Sequence, residues 1–198
     1  NASSSRNWGL PTAPSSLTCF SVFAPQDVIR AQVVFGYNND LQDIADKNSF
    51  IVGIGGSGAS DFVTNNISGW FFGWGRDAGF GQWRYTASRS GIMHGVNQWV
   101  LRTDRFEPST RSFNFDWNGA TYATGIASTS FNVLNYFTFG TDDETSILQV
   151  PARYYTGYIA ETILYNRRLN DEERENVEAY LRSKYALDGG GSTPLFMV

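Results

Sequence analysis

Apolar and polar residues alternate along most of the chain in short runs, and clusters of Gly, Ser, Asn and Pro separate these runs. Alternation with a period of two is typical of strands, and such clusters supply the turns between them. Nine strands are predicted, at residues 17–23, 29–37, 49–54, 68–74, 80–87, 97–104, 111–117, 134–140 and 158–165. The pattern predicts an all-β fold, a two-sheet antiparallel sandwich.

The sharpest turn signal is Asn118-Gly119, between the alternating run 113–117 and Thr121-Tyr122. Asn-Gly tolerates the positive φ angles of a two-residue hairpin turn. We therefore expect a hairpin here.

One segment, residues 171–185, has helical spacing. Asn170 precedes it as a candidate N-cap, and Glu173 completes a capping-box pair. The predicted apolar face consists of Val177, Tyr180, Leu181 and Lys184/Tyr185. A single short C-terminal helix should lie on the sandwich.

Three segments are predicted. Residues 1–16 read as an extended polar arm, residues 17–187 as the β-sandwich, and residues 188–198 as a Gly-rich linker and apolar tail. We expect this tail to dock on its own sheet or on a neighbouring subunit. The chain begins without Met or a leader pattern, so we expect part of a larger protein.

Composition and net charge limit the classes of partner that the chain is expected to bind. The chain has 198 residues, 41% hydrophobic and 17% charged, and a formal net charge of −4. A net negative charge without a basic stripe argues against a nucleic-acid partner. No apolar run is long enough for a membrane helix, so no membrane insertion is expected. The single cysteine, Cys19, lies in an alternating run and is expected to be a small buried residue.

The last third resembles a known family. The segments GYIAETILY (157–165), NRRLNDEER (166–174) and VEAYLRSKYAL (177–187) resemble the closing strand, turn and helix of laminin-G-like domains of bacterial extracellular and phage virion proteins. The resemblance implies a laminin-G/concanavalin A-like lectin-glucanase jelly roll. It also implies an extracellular, cell-surface or virion location.

Weaker matches extend the resemblance to residues 17–25, 99–102, 113–119 and 123–125. Family members usually have a strand before the position of Leu17, where this chain has only its polar arm. That strand would come from upstream, from another chain or from the tail at 195–198, because an unpaired sheet edge is exposed to association.

Strict alternation along the predicted strand at 158–165 predicts which side chains share a face. Alternation places Ile159, Glu161, Ile163 and Tyr165 on one face and Tyr158, Ala160, Thr162 and Leu164 on the other. Both faces should be covered, so Glu161 needs hydrogen-bond partners such as backbone amides or an arginine.

The sequence has little of the chemistry that catalysis needs. A glycosidase needs two suitably spaced carboxyl groups, and no E-x-D-x-x-E strand occurs. The only histidine, His94, lies in a loop-like segment without a G-x-S-x-G elbow, and one His with one Cys does not suit zinc. We predict no enzymatic activity and no required cofactor.

Calcium is the candidate ion. Laminin-G-like domains often hold Ca²⁺ at the sandwich rim, and Asp142, Asp143 and Glu144 could supply oxygen ligands, with Asp116 or Asp77 as further candidates. The alternative is an acidic solvated turn, which we favour.

The candidate glycan site is a Trp- and Gly-rich stretch at residues 70–85. Indole rings stack on the apolar faces of sugars, and Asp, Arg and Gln bind hydroxyls. The site residues predicted here are Trp74, Arg76, Asp77, Gln82 and Trp83. The alternative is that these aromatics face the core.

Three functions remain open. The first is a non-catalytic surface module that binds a carbohydrate or protein ligand, as in adhesion. The second is a structural interaction protein of a capsid, fibre or tail, with neighbouring subunits joined through the termini. The third is a glycoside hydrolase-like enzyme, which the missing carboxylate pattern disfavours.

Overall fold

A computed structural model describes most of the predicted sandwich. The described residues are 16–27, 32–38, 49–54, 67–68, 72–76, 83–86, 92–93, 96–107, 109–110, 112–126, 136–140 and 154–187. The first strands are β1 (Leu17–Pro25), β2 (Gln32–Asn38), β3 (Ser49–Ile54), β4 (Ile67–Ser68), β5 (Phe72–Arg76) and β6 (Trp83–Thr86). They are followed by β7 (Ile92–Met93), β8 (Val100–Glu107), β9 (Ser112–Trp117), β10 (Ala120–Ile126), β11 (Tyr136–Phe139), β12 (Gly157–Tyr165) and the helix α1 (Asp171–Tyr185).

The fold is an antiparallel β-sandwich. Its best-defined sheet has five strands in the order β10-β9-β8-β1-β12. A second sheet has the order β11-β2-β3, and β3 also contacts β4 and β5 of two short strand pairs, β4-β7 and β5-β6. The predicted class, an all-β jelly-roll sandwich with one short C-terminal helix, is confirmed.

The core lies between the two sheets. Alternate residues of β1, beginning with Leu17 and Cys19, pack with Val34 and Phe35 of β2. Val100, Phe106, Phe113 and Trp117, from β8 and β9, complete the cluster. We call this side of the five-stranded sheet its inner face.

The opposite, outer face carries a second apolar cluster under α1. Phe20, Val22 and Leu101 of the sheet contact Leu169 and Leu181. The predicted capping box is confirmed: Asn170 accepts a hydrogen bond from the Glu173 backbone N–H, and Glu173 reaches back to the N-cap. Both faces of the sheet are therefore covered, as a strand hydrophobic on both faces requires.

A β-bulge corrects the predicted faces of β12. Val22 pairs with Glu161 and Phe23 with Ile159, so Ala160 is the extra residue. A bulge shifts the alternation by one residue. Ile159 and Leu164 therefore pack on the inner cluster, whereas Ile163 and Tyr165 pack on the outer one, and Ile159 was wrongly grouped with Ile163.

The predicted turn is confirmed, because Asn118 and Gly119 both have positive φ angles, 47° and 83°. The run at 68–74 divides between β4 and β5, and the structure adds β7 and β10. Apart from Ser16, the arm at 1–16 and the tail at 188–198 lie outside the described residues. No described helix is long and apolar enough to cross a membrane.

Candidate functional site

The predicted glycan-binding residues fall on the β5–β6 hairpin. Trp74 and Arg76 lie in β5, and Trp83 begins β6. Arg76 and Trp83 are backbone partners, and the register shifts between Phe72 and Gly75. The hairpin therefore places three of the five predicted residues on two paired strands beside β3.

The remaining predicted site residues cannot be placed. Asp77 and Gln82 lie outside the described residues, as do His94 and the predicted calcium ligands Asp142, Asp143 and Glu144. Among the residues that the structure describes, no group of three or more His, Cys, Asp or Glu could hold a metal ion.

One calcium candidate, Asp116, is corrected by the structure. Its carboxylate is fully buried on the outer face of the sheet, where Oδ2 lies 3.5 Å from Arg174 Nη1 and 3.7 Å from Arg105 Nη2. Two guanidinium groups this close compensate the carboxylate charge and repel a cation. Asp116 therefore belongs to the support of α1 and not to a calcium rim.

The inner face holds a buried ion pair. Arg102 Nε donates to Asp104 Oδ2 at 2.8 Å and Nη2 donates to Oδ1 at 2.7 Å, and neither side chain is exposed. Burial raises the pKa of Asp104 to about 6, and Arg102 opposes that rise. Since neither group reaches solvent, the pair has no access to a substrate.

Cys19 lies directly across from Asp104 in the β1–β8 register. It is fully buried, as predicted, and burial raises the pKa of its thiol far above the ordinary range. A thiol held protonated in this way is inert as a nucleophile.

A second polar network holds α1 on the outer face. Arg105 Nη1 donates to Asp171 Oδ1 at 2.7 Å, at the start of the helix. Thr103 donates its hydroxyl to Glu178 Oε1 at 2.7 Å, and Arg174 and Arg182 lie 3.2 and 3.4 Å from Glu178 Oε2. Every charge in this network has an opposite partner, so its role is structural.

Glu161 has the partners that the sequence required, although they are not an arginine or backbone amides. Its Oε2 accepts from Lys184 Nζ and from the Tyr185 hydroxyl, each at 3.0 Å. Glu161 thus joins β12 to the end of α1. Along the described strands, these carboxylates form no open pair of the kind that glycoside hydrolysis requires.

An exposed aromatic pair was missed by the sequence analysis. Trp99 and Tyr158 have ring centroids 6.4 Å apart and ring planes inclined at 31°. The Tyr158 side chain is 57% exposed, while Trp99 is partly buried against the outer cluster. The bulge at Ala160 was the missing signal, because strict alternation groups Tyr158 with Leu164, whose side chain packs on the inner cluster.

Three chain segments meet around this pair. The Asn97 backbone N–H donates to Pro25 O at 2.6 Å, and the Gln26 N–H donates to Thr156 O at 2.8 Å. The side chain of Gln26 also donates to the Tyr158 hydroxyl, at 3.3 Å. The pair therefore lies where three connected segments meet, and the exposed Gln26 side chain contacts the Tyr158 hydroxyl.

Comparison with known proteins identifies the fold. No family model and no curated protein matches the sequence. The structure is similar to the CBM40 module of the Ruminococcus gnavus IT-sialidase bound to α2,3-sialyllactose, with a TM-score of 0.59 and 14% identity over 84% of both chains. It is also similar to domain 4 of AbnA, a GH43 extracellular arabinanase from Geobacillus stearothermophilus in complex with arabinotriose (TM-score 0.56, 13% identity, 86% of this chain and 69% of that one).

A third similar structure is the heptameric SAP-like pentraxin from Limulus polyphemus, with a TM-score of 0.55 and 11% identity over 85% of this chain and 71% of that one. At such identities the similarity concerns the fold. The chain therefore has the jelly-roll β-sandwich fold, which it shares with these three structures.

Proposed function

We propose that this protein is a non-catalytic recognition module that binds glycans through the β5–β6 hairpin. The observation that carries the proposal is the register of that hairpin. Arg76 and Trp83 are backbone partners, and Trp74 lies two residues before Arg76 in the same strand. Residues of these types, an arginine and two tryptophans, suit a ligand with hydroxyls and apolar C–H faces. In the proposal Asp77 and Gln82, from the connection between the strands, bind further hydroxyls.

The structural neighbours support this proposal at the level of class. Two of them are a carbohydrate-binding module and a domain in complex with an oligosaccharide. Two carboxylates of the five-stranded sheet, Asp116 and Glu161, form ion pairs with α1, and Asp104 is paired with Arg102 inside the core, which favours binding over hydrolysis. We extend the proposal to an extracellular or surface location, where such ligands occur.

The experiment is a glycan array probed with the purified chain, once with calcium and once with chelator. We expect selective binding that Trp74→Ala and Trp83→Ala each weaken, while Tyr180→Ala, an exposed aromatic of α1, leaves binding unchanged. Chelator sensitivity would support calcium ligation by Asp142, Asp143 and Glu144. A folded protein that binds no glycan would contradict the proposal.

A structural role in an assembly is the second candidate. Within the described residues β12 has a strand on one side only, and a sheet edge of this kind can pair with another chain. We propose the apolar tail at 188–198 as the segment that contacts neighbouring subunits. Deletion of this tail should then reduce the oligomeric state seen by light scattering. An unchanged oligomeric state and melting temperature would exclude this role for the tail.

A further inference from the structure

We propose that Trp99 and Tyr158 form a second carbohydrate-binding surface, which takes neutral sugars. This inference rests on the proposed function and adds a site distinct from the β5–β6 hairpin. The hairpin adjoins β3 in one layer of the sandwich, whereas Trp99 and Tyr158 belong to the outer face of the other layer.

The register brings the two rings together. Val100, the residue after Trp99, pairs with Phe23, and Ala24 pairs with Tyr158. Ala24 lies on the same face of β1 as Phe20 and Val22, and it is buried between the two segments that carry the rings. Because its side chain is a single methyl group, the larger rings on either side can approach to 6.4 Å.

The pair is held in place before any ligand arrives. Trp99 packs on the outer apolar cluster, and Tyr158 is fixed by the ladder of β12 and by the Gln26 amide. Side chains that are already ordered lose little conformational entropy on binding. The Tyr158 ring is nevertheless more than half exposed, so it presents apolar area that a sugar ring can cover.

The surrounding chemistry selects a neutral ligand. Among the described residues of these segments, Gln26, Asn97, Gln98 and Thr156 are exposed and carry amides and a hydroxyl, and the Gln26 amide contacts the Tyr158 hydroxyl. Glu161, the described carboxylate of β12, is paired with Lys184. Amides and hydroxyls match sugar hydroxyls, so these described surroundings suit a neutral sugar.

The test follows the indole N–H resonances of the full chain labelled with ¹⁵N-tryptophan. Trp→Phe variants assign the signals, and the probes are arabinotriose, cellotriose, xylotriose and mannotriose, with sialyllactose as the charged comparison. We expect at least one neutral probe to shift the Trp99 resonance, and sialyllactose to leave it unchanged. Tyr158→Ala should weaken that binding by about tenfold, as expected for the loss of one stacking contact.

Tyr180→Ala is the matched control, since Tyr180 is exposed to a similar degree on α1, and it should keep the full Trp99 response. Shifts confined to Trp74 or Trp83 would support the proposed function and overturn this second site. An unaltered Trp99 response in Tyr158→Ala would also overturn it. If no sugar shifts any indole, the inference fails together with glycan binding.

Discussion

Two opposite charges lie in the middle of an otherwise apolar core. Arg102 and Asp104 form a bidentate pair between β8 and the second sheet, beside Cys19 and Ser21 of β1. Removing two charges from water costs several kcal/mol per ion, and their attraction only offsets that cost when both are present. Each of the two buried charges is therefore tolerated in the core only while the other is present.

The first prediction concerns the pair itself. Asp104→Asn removes the carboxylate that Arg102 Nε and Nη2 bind in the core, and should destabilise the protein by about 3–5 kcal/mol. Arg102→Met/Asp104→Leu removes both charges and should recover most of that loss. Urea unfolding at neutral pH measures both variants. A double variant as unstable as the single one would show that the pair itself stabilises the fold.

The second prediction concerns pH. Burial raises the pKa of Asp104 from 3.8 to about 6, so the folded state holds this proton more tightly than the unfolded chain. Its contribution to stability is thus complete below about pH 4, decreases as the pH rises to about 6, and is constant above that. The Arg102→Met/Asp104→Leu variant should lack this decrease when unfolding is measured across pH 4–7. A stability difference from wild type that does not change with pH would contradict the assignment.

At the scale of the element, α1 shows where a sequence pattern succeeds and where it fails. The helix, its N-cap and its capping box were predicted from local residues and are confirmed. Its buried side was predicted only in part: Leu181 is buried, but Tyr180 is exposed and Arg174 and Glu178 are buried. Helical spacing could not reveal that Asp116 and Thr103, distant in sequence, would provide polar partners beneath the helix.

The strand β12 gives a similar lesson. Its existence follows from alternation, but the bulge at Ala160 depends on pairing with β1 and leaves no mark in the strand's own pattern. The bulge determines which side chains face outward, and with it the position of Tyr158. The candidate surface at Trp99 and Tyr158 was therefore invisible to the sequence analysis.

The third prediction concerns the β9–β10 turn. Gly119 has a positive φ angle, and a Cβ there would collide with the Arg182 guanidinium. Gly119→Ala should destabilise by about 1–2 kcal/mol from the backbone alone, and by a little more because the flexible end of Arg182 must move away from Glu178. Gly140→Ala is the control, because its φ angle is also positive but a Cβ would meet only Tyr155 at an ordinary 3.9 Å. Thermal unfolding should rank Gly119→Ala as the less stable of the two variants. Adding Arg182→Ala to Gly119→Ala should restore part of the lost stability. Equal losses of stability at both glycines would contradict this account.

At the scale of the whole molecule, the class of fold was accessible from sequence and the binding surfaces were not. Alternation predicted the strands, and the resemblance of residues 157–187 to laminin-G-like domains predicted a jelly-roll sandwich. The similar solved structures confirm the jelly-roll fold. Which side chains are exposed depends on how the layers pack. Glycan binding by the Trp-rich hairpin and calcium ligation at 142–144 remain predictions, because Asp77, Gln82 and residues 142–144 lie outside the described residues.

The two proposed surfaces belong to different layers of the sandwich, the hairpin beside β3 and the aromatic pair on the outer face of the five-stranded sheet. If both proposed surfaces bind glycan, linked contacts would raise the apparent affinity only for a ligand that reaches both layers at once.

The most direct measurement of the central claim is retention of the purified chain on an immobilised glycan identified by array, followed by analysis of the recovered glycan. The account predicts saturable retention, competition by the free oligosaccharide, and recovery of the glycan uncut. Failure of the folded chain to bind any glycan would contradict recognition, and cleavage of the bound glycan would contradict a non-catalytic role.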